Sequence, residues 1–185
     1  MDQLISNIDY LDKEFILFLM NYHSNSLDAI MHWLSEKIVW IPLYAYIIYR
    51  LLRDTPKGWI HIIFLLLTVG CADQIASGFA KPFFERFRPC HDPEINQWLD
   101  LTHCGGKWGF FSSHAATSFA IAGYIFALSK KHGYPLILWA SIVAFSRVYL
   151  CVHYLSDIVT GALVGFGLGY LWWYIKVKTI KVSTH

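Results

Sequence analysis

The chain has 185 residues, of which 56% are hydrophobic and 15% charged, with a formal net charge of +2. An average soluble domain carries roughly 25% charged residues, so the composition disfavours a water-facing globule. The small positive charge gives no electrostatic footprint for nucleic acid. Length sets the expectation of a single domain over residues 1–185.

Two short helices are expected first, about Asp9–Tyr22 and Ser26–Leu34. Phe15, Phe18, Leu19 and Tyr22 fall at helical spacing, as do Ile30, Trp33 and Leu34. Residues 1–36 therefore read as interfacial helices in the headgroup plane, with Asn25-Ser26-Leu27-Asp28 as the turn and cap between them. Insertion of the first helix as an extra half-span is the alternative. The start, Met1-Asp2, lacks the basic residues and short apolar core of a secretory leader, and none is expected.

Five apolar segments follow, at about 38–52, 59–80, 114–129, 134–152 and 155–175. A bilayer crossing takes about 20 residues. The first segment is short, with Pro42 near its start, and Ser35–Lys37 are expected to extend it into the interface. Five segments apolar on all sides leave no amphipathic surface to wrap a soluble core. The expected fold class is thus all-α, a polytopic membrane helix bundle with its core at 37–178 and an outer loop at 82–112.

Arg50, Arg53 and Lys57, then Lys130 and Lys131, then Lys176, Lys178 and Lys181 all fall on one side of a five-span bundle. That side is cytoplasmic by the positive-inside rule. The other side holds Lys81, Arg86, Arg88, Lys107 and Arg147 against the charge rule, so these cations call for another reason.

Chain parity supplies one, because three separated blocks reach the same face. In Lys81-Pro-Phe-Phe-Glu-Arg-Phe-Arg88-Pro89, the two cations lie about two helical turns apart and would point the same way, with Pro89 ending the helix. Two such cations suit a tetrahedral oxyanion; they could also be cations snorkelling at a membrane edge. In Phe111-Ser112-Ser113-His114, small residues open a helix whose free N–H groups favour an anion; a plain serine cap beside a wet histidine is the bland reading. In Ser146-Arg147 through His153 to Asp157, the imidazole and carboxylate stand at i, i+4 and share a face if that segment is helical. A carboxylate on one ring nitrogen frees the other to attack, although a structural His–Asp pair would look the same.

Together the three blocks resemble the type 2 phosphatidic acid phosphatase superfamily, related to vanadium haloperoxidases and glucose-6-phosphatase. Its signature is K-x6-R-P, then P-S-G-H, then S-R-x5-H-x3-D. Lys81–Pro89 and Ser146–Asp157 match in full, whereas Phe111-Ser112-Ser113-His114 replaces the second motif. The resemblance implies that Lys81, Arg88 and Arg147 hold phosphoryl oxygens, with Ser112 and the N–H groups of Ser113 and His114 as further donors. It also implies His153 as nucleophile through a phosphohistidine, Asp157 as its orienter and His114 as the acid for the leaving oxygen. Serine at 113 resists torsions that glycine allows, which questions a close backbone approach there.

No metal and no cofactor are expected, since the cations would stabilise the charge that magnesium handles elsewhere. The expected activity is a lipid phosphatase of a bacterial inner membrane with its site facing the periplasm. Candidate substrates are undecaprenyl diphosphate, phosphatidylglycerol phosphate, phosphatidic acid and lipid A phosphate. Alternatives are a phosphotransferase of the same family and a non-catalytic carrier of anionic lipids. The sequence does not define an oligomeric state.

Several other residues compete for attention. Cys90 and Cys104 admit a disulfide, free thiols, or a zinc site with His91 and His103. Cys71 and Cys151 read as buried small apolar groups, Trp98 and Trp108 as interface anchors, and Gly161, Gly165 and Gly169 as a close helix contact. Asp73 within the second span reads as a hydrogen-bonding partner of a neighbouring helix rather than a functional group, and Glu85 as a partner of Lys81 or Arg88.

Overall fold

The computed structural model describes residues 2–98 and 104–180, and seven helices form among them. They are α1 (Asp2–Met20), α2 (Asn25–Ser35), α3 (Ile41–Asp54), α4 (Gly58–Phe84), α5 (Ser113–Leu128), α6 (Lys130–Tyr149) and α7 (Leu155–Thr179). The chain is all-helical. α4 at 27 residues and α7 at 25 are long and apolar enough to cross a bilayer, while α5 is a shorter apolar helix.

α5 lies at the centre, packed against α4, α6 and most extensively α7. Ala115, Ala116, Ala120 and Ala122 are fully buried along it. Small residues let helix backbones approach closely where lipid provides no hydrophobic drive. A Cβ at Gly165 would stand 2.1 Å from the Ala116 carbonyl oxygen, and one at Gly169 2.3 Å from that of Ala120. The glycine repeat of α7 therefore sets the α5–α7 contact, as its spacing suggests. Large apolar side chains meanwhile point outward around the bundle, with Leu163 71% and Phe83 68% exposed. Such a belt fits lipid rather than water.

Several local expectations need correction. The cap of α2 is Ser24, whose Oγ accepts the Leu27 N–H at 3.4 Å; Asn25–Asp28 form the first helical turn. Ser35–Lys37 do not extend the first span. Ser35 ends α2, Glu36 is extended, and a 3-10 turn at Lys37–Trp40 leads into α3. α1 begins at Asp2 and buries Ile16, Leu19 and Asp12 against α6 and α7, while Leu4, Leu11 and Phe18 remain exposed. Cys151 is buried as expected, but Cys71 is only half-buried.

The winding of α4 changes before the site. Gln74–Ala80 form a wide π-type segment directly ahead of Lys81-Pro82. Proline lacks an N–H and crowds the carbonyl four residues back, and wider winding relieves that conflict. The helix then stops at Phe84 because Glu85 turns left-handed, with φ of 46°. Arg88 is therefore not on a helix two turns beyond Lys81. It lies on an extended segment where Phe87 bridges Trp108.

Candidate active site

The ends of α4, α5, α6 and α7 carrying the three sequence blocks meet at one end of the bundle. Arg50, at the C-terminal end of α3, approaches His132 at 3.4 Å near the start of α6, at the opposite end. Lys181 lies outside the described residues.

Ser112 caps α5, accepting the Ala115 N–H at 3.4 Å. Its own N–H donates to the Asp157 carbonyl at 3.2 Å, tying the start of α5 to that of α7. The N–H groups of Ser113 and His114 fall in the first helical turn, where no intrahelical acceptor exists. Ser113 has no positive φ, so the torsional objection to serine there does not arise. Its Oγ accepts from Lys81 Nζ at 3.4 Å and keeps its own hydrogen to donate.

Arg88 is buried and donates to two loop carbonyls, Trp108 at 3.2 Å through Nε and Cys104 at 3.3 Å through Nη1. Burial pulls its guanidinium below the ordinary value, with Asp157 opposing. Cys90 and Cys104 are joined in a disulfide, which closes this loop behind Arg88 and leaves neither thiol for a metal. His103, the fourth group of the zinc alternative, lies outside the described residues. Arg147 donates to Ser35 Oγ at 3.0 Å, while its buried Nε has no partner. Among the described residues Lys81, Arg88 and Arg147 form no ion pair.

His153 is 1% exposed and Asp157 fully buried. The Nδ1 atom of His153 lies 3.3 Å from Asp157 Oδ2, which also accepts the Tyr154 N–H at 3.0 Å. The pair forms by a route other than a shared helical face, because His153 is in the turn before α7 and Asp157 reaches back from its first turn. Burial pulls the imidazole down to about 4, against the upward pull of Asp157, so the ring is neutral near pH 7. Arg88 and Arg147 lie within electrostatic reach of His153; Arg147, His153 and Lys81 are within reach of His114. The three blocks thus come within electrostatic reach of one another at one end of the bundle.

The PAP2 superfamily profile matches residues 58–181. The chain belongs to the PAP2 superfamily. Its relatives include a lipid A 4'-phosphatase of Bacteroides thetaiotaomicron, 34% identical over 95% of this chain and 81% of that protein. Another is a lipid A 4'-phosphatase of Porphyromonas gingivalis, 30% identical over 86% of this chain and 70% of that one. An undecaprenyl-diphosphatase of Bacillus subtilis is 24% identical over 82% of this chain and 76% of its own length. The fold matches the crystal structure of a transmembrane PAP2 type phosphatidylglycerolphosphate phosphatase from Bacillus subtilis. The TM-score is 0.73 at 20% identity, covering 95% of this chain and 89% of that one. The present chain is accordingly a membrane phosphatase of lipid phosphates.

This PAP2 chain makes further polar contacts that the sequence blocks do not reveal. Arg86 binds Asp157 Oδ1 at 3.0 Å, and Ser35 meets Arg147 from α2. An apolar groove of about 520 Å³ runs between α3, α4, α5 and α6, with His114 at its head and Lys37 and Asp73 on its walls. Asp73 makes no side-chain hydrogen bond among the described residues, so the expected partner on a neighbouring helix is absent. Glu85 is exposed and pairs with neither Lys81 nor Arg88; it borders an outer hollow beside Arg86.

Proposed function

We propose that the chain cleaves a lipid phosphate through a phosphohistidine at His153, and that its substrate is a lipid A type phosphate. The observation carrying this reading is a buried imidazole whose Nδ1 lies 3.3 Å from Asp157 Oδ2, with Arg88 and Arg147 in electrostatic reach and neither of them in an ion pair among the described residues. A tetrahedral oxyanion is the natural counterion for such a cluster. Two relatives that cover most of this chain are named for lipid A, which favours that substrate over the diphosphate of the more distant undecaprenyl relative.

In the proposed step, Nε2 of His153 attacks phosphorus in line and forms a P–N bond. Lys81, Arg88, Arg147, the serine hydroxyls and the first-turn N–H groups of α5 take the equatorial oxygens. Positioning and charge stabilisation are what phosphoryl transfer chiefly requires. The P–O ester bond breaks and the leaving oxygen takes a proton from His114, whose protonated form the bound phosphate dianion stabilises. Water then attacks phosphorus, passing its proton to His114, and the P–N bond breaks to release phosphate and His153. The groove below His114 suits the apolar part of the substrate, which stays in the bilayer plane.

By the charge rule the site opens on the periplasmic side of a bacterial inner membrane. Residues 1–185 act as one unit in this reading. Phosphate release from detergent-solubilised protein tests it, with lipid A, undecaprenyl diphosphate, phosphatidylglycerol phosphate and phosphatidic acid as parallel substrates. Lipid A should give the highest kcat/KM, and His153→Ala should be inert on all four. Equal activity of wild type and His153→Ala on any of them contradicts the nucleophile.

A further inference from the structure

Arg86 stands two residues before Arg88 and turns toward α1 and the start of α7. Its Nη1 donates to Asp157 Oδ1 at 3.0 Å and to Ser156 Oγ at 2.7 Å. Its Nη2 donates to Asp12 Oδ2 at 2.8 Å and Asp9 Oδ1 at 3.2 Å, both from α1. The guanidinium lies 4.4 Å above the Tyr154 ring. Asp157 is therefore held by donors on both oxygens: Arg86 on Oδ1, and Tyr154 N–H with His153 on Oδ2. Asp12 is also buried and accepts the Ser156 N–H at 3.0 Å, so α1 is pinned to the same turn of α7.

Charge counting gives this arrangement a purpose. A lone arginine on Asp157 would cancel the negative charge that an attacking imidazole needs as it becomes cationic. Asp9 and Asp12 hold the arginine's charge from the other side, and Lys13 balances Asp9 at 2.8 Å. The carboxylate of Asp157 is thereby clamped without being neutralised. The other charged groups around His153 are Arg88 on the loop, Arg147 on α6 and, through Asp157, Lys81 on α4; His114 on α5 completes the ring.

We propose that Arg86 and Asp12 form a positioning relay, through which α1 sets the orientation and effective charge of Asp157 and hence of the His153 ring. The relay rests on His153 being the nucleophile. It assigns a role in turnover to the N-terminal helix, which the PAP2 match at 58–181 does not include.

The test compares full-length wild type, Arg86→Ala, Arg86→Lys and Asp12→Asn in detergent, with short-chain phosphatidic acid as the probe. The readouts are kcat, KM and the acid limb of kcat/KM, which reports groups of the free enzyme. Arg86→Ala should lower kcat about 10–100-fold, the size that removing an outer partner of a metal-bound histidine has, with little change in KM. Arg86→Lys should recover part of that loss. Removing the cation should move the acid limb up, and Asp12→Asn, which leaves the cation uncompensated, should move it down. A scaffold role alone gives no such opposite displacement. The relay is overturned if Arg86→Ala keeps wild-type kcat and limb, or if the two limbs move in the same direction. Should Arg86→Ala fail to fold, an unmoved limb in Asp12→Asn overturns it equally. Activity in His153→Ala would instead remove the nucleophile itself, a distinct outcome.

Discussion

Two groups of cations occupy the same end of this protein in opposite states. Lys81, Arg88 and Arg147 form no ion pair among the described residues, while Arg86 and Lys13, close by, are matched by Asp9, Asp12, Asp92, Glu94 and Asp157. Buried charge without a partner is costly. In the paired group both terminal nitrogens of Arg86 and the Lys13 ammonium meet carboxylates. The unpaired group is the one that the proposed step assigns to the phosphoryl oxygens.

The sharpest way to break this contrast is to give the unpaired group its own carboxylate. Ser113→Asp would place one where Lys81 already reaches, at 3.4 Å in the present hydroxyl contact. Phosphate release should fall at least about 10³-fold, beyond the loss of a single donor, with no fall in thermal stability. Retained activity would mean that the cluster does not receive phosphate. Next in size, Arg147→Ala should lower kcat by about 10²–10³-fold, the usual cost of one charge-stabilising group. Assay of lipid phosphate turnover at saturating substrate reads this directly.

His114→Ala sharpens the contrast within the pocket. With a monophosphate the loss should be about 10²-fold, the lower range for a general acid. It should be smaller with a diphosphate, whose leaving oxygen needs less help. An equal loss on both substrates would remove His114 from the acid role.

Stability should separate the two groups in the other direction. Arg86→Ala strands carboxylates on α1 and α7 and should cost about 3 kcal/mol, the lower range for breaking a buried pair. Arg147→Ala removes a charge that has no ion pair and should cost much less. Denaturant or thermal unfolding in one detergent compares them.

The smallest effect expected is in pH dependence. Burial holds His153 down to about 4, below its ordinary 6.5, so the neutral attacking form persists to that pH. The enzyme-derived acid limb of kcat/KM should fall as pH drops through about 4, not near 6.5. The same depressed value makes folding stability rise between about pH 4 and 6.5, because the unfolded chain binds the extra proton there.

How much of this was legible in sequence depends on how local each cause is. The apolar runs of α4, α5 and α7 and the glycine repeat are local patterns, and the helices follow them; the three polar blocks are local too, and they come together at one end of the bundle. The seven-residue spacing of Lys81 and Arg88 fits two turns on one helix face. The left-handed Glu85 ends the helix first, and Arg88 returns through a bridge to Trp108, a pairing across the loop that no short window contains. Likewise His153 and Asp157 meet through a helix-start contact, although the i, i+4 spacing suggested a helical face. Arg86 was visible only as one more cation. Its partners lie in α1, more than seventy residues away in the chain. A signal did exist: Asp12 stands one helical turn before Ile16 on the face that α1 buries, and a carboxylate buried there requires a cation.

Acid-free quenching during turnover of a lipid phosphate carrying labelled phosphorus gives the most direct check. The label should appear on the peptide containing His153, stable to base and lost in acid, and should be absent from His153→Ala. Label on another residue, or undiminished turnover by His153→Ala, would show that phosphorus never passes through this imidazole.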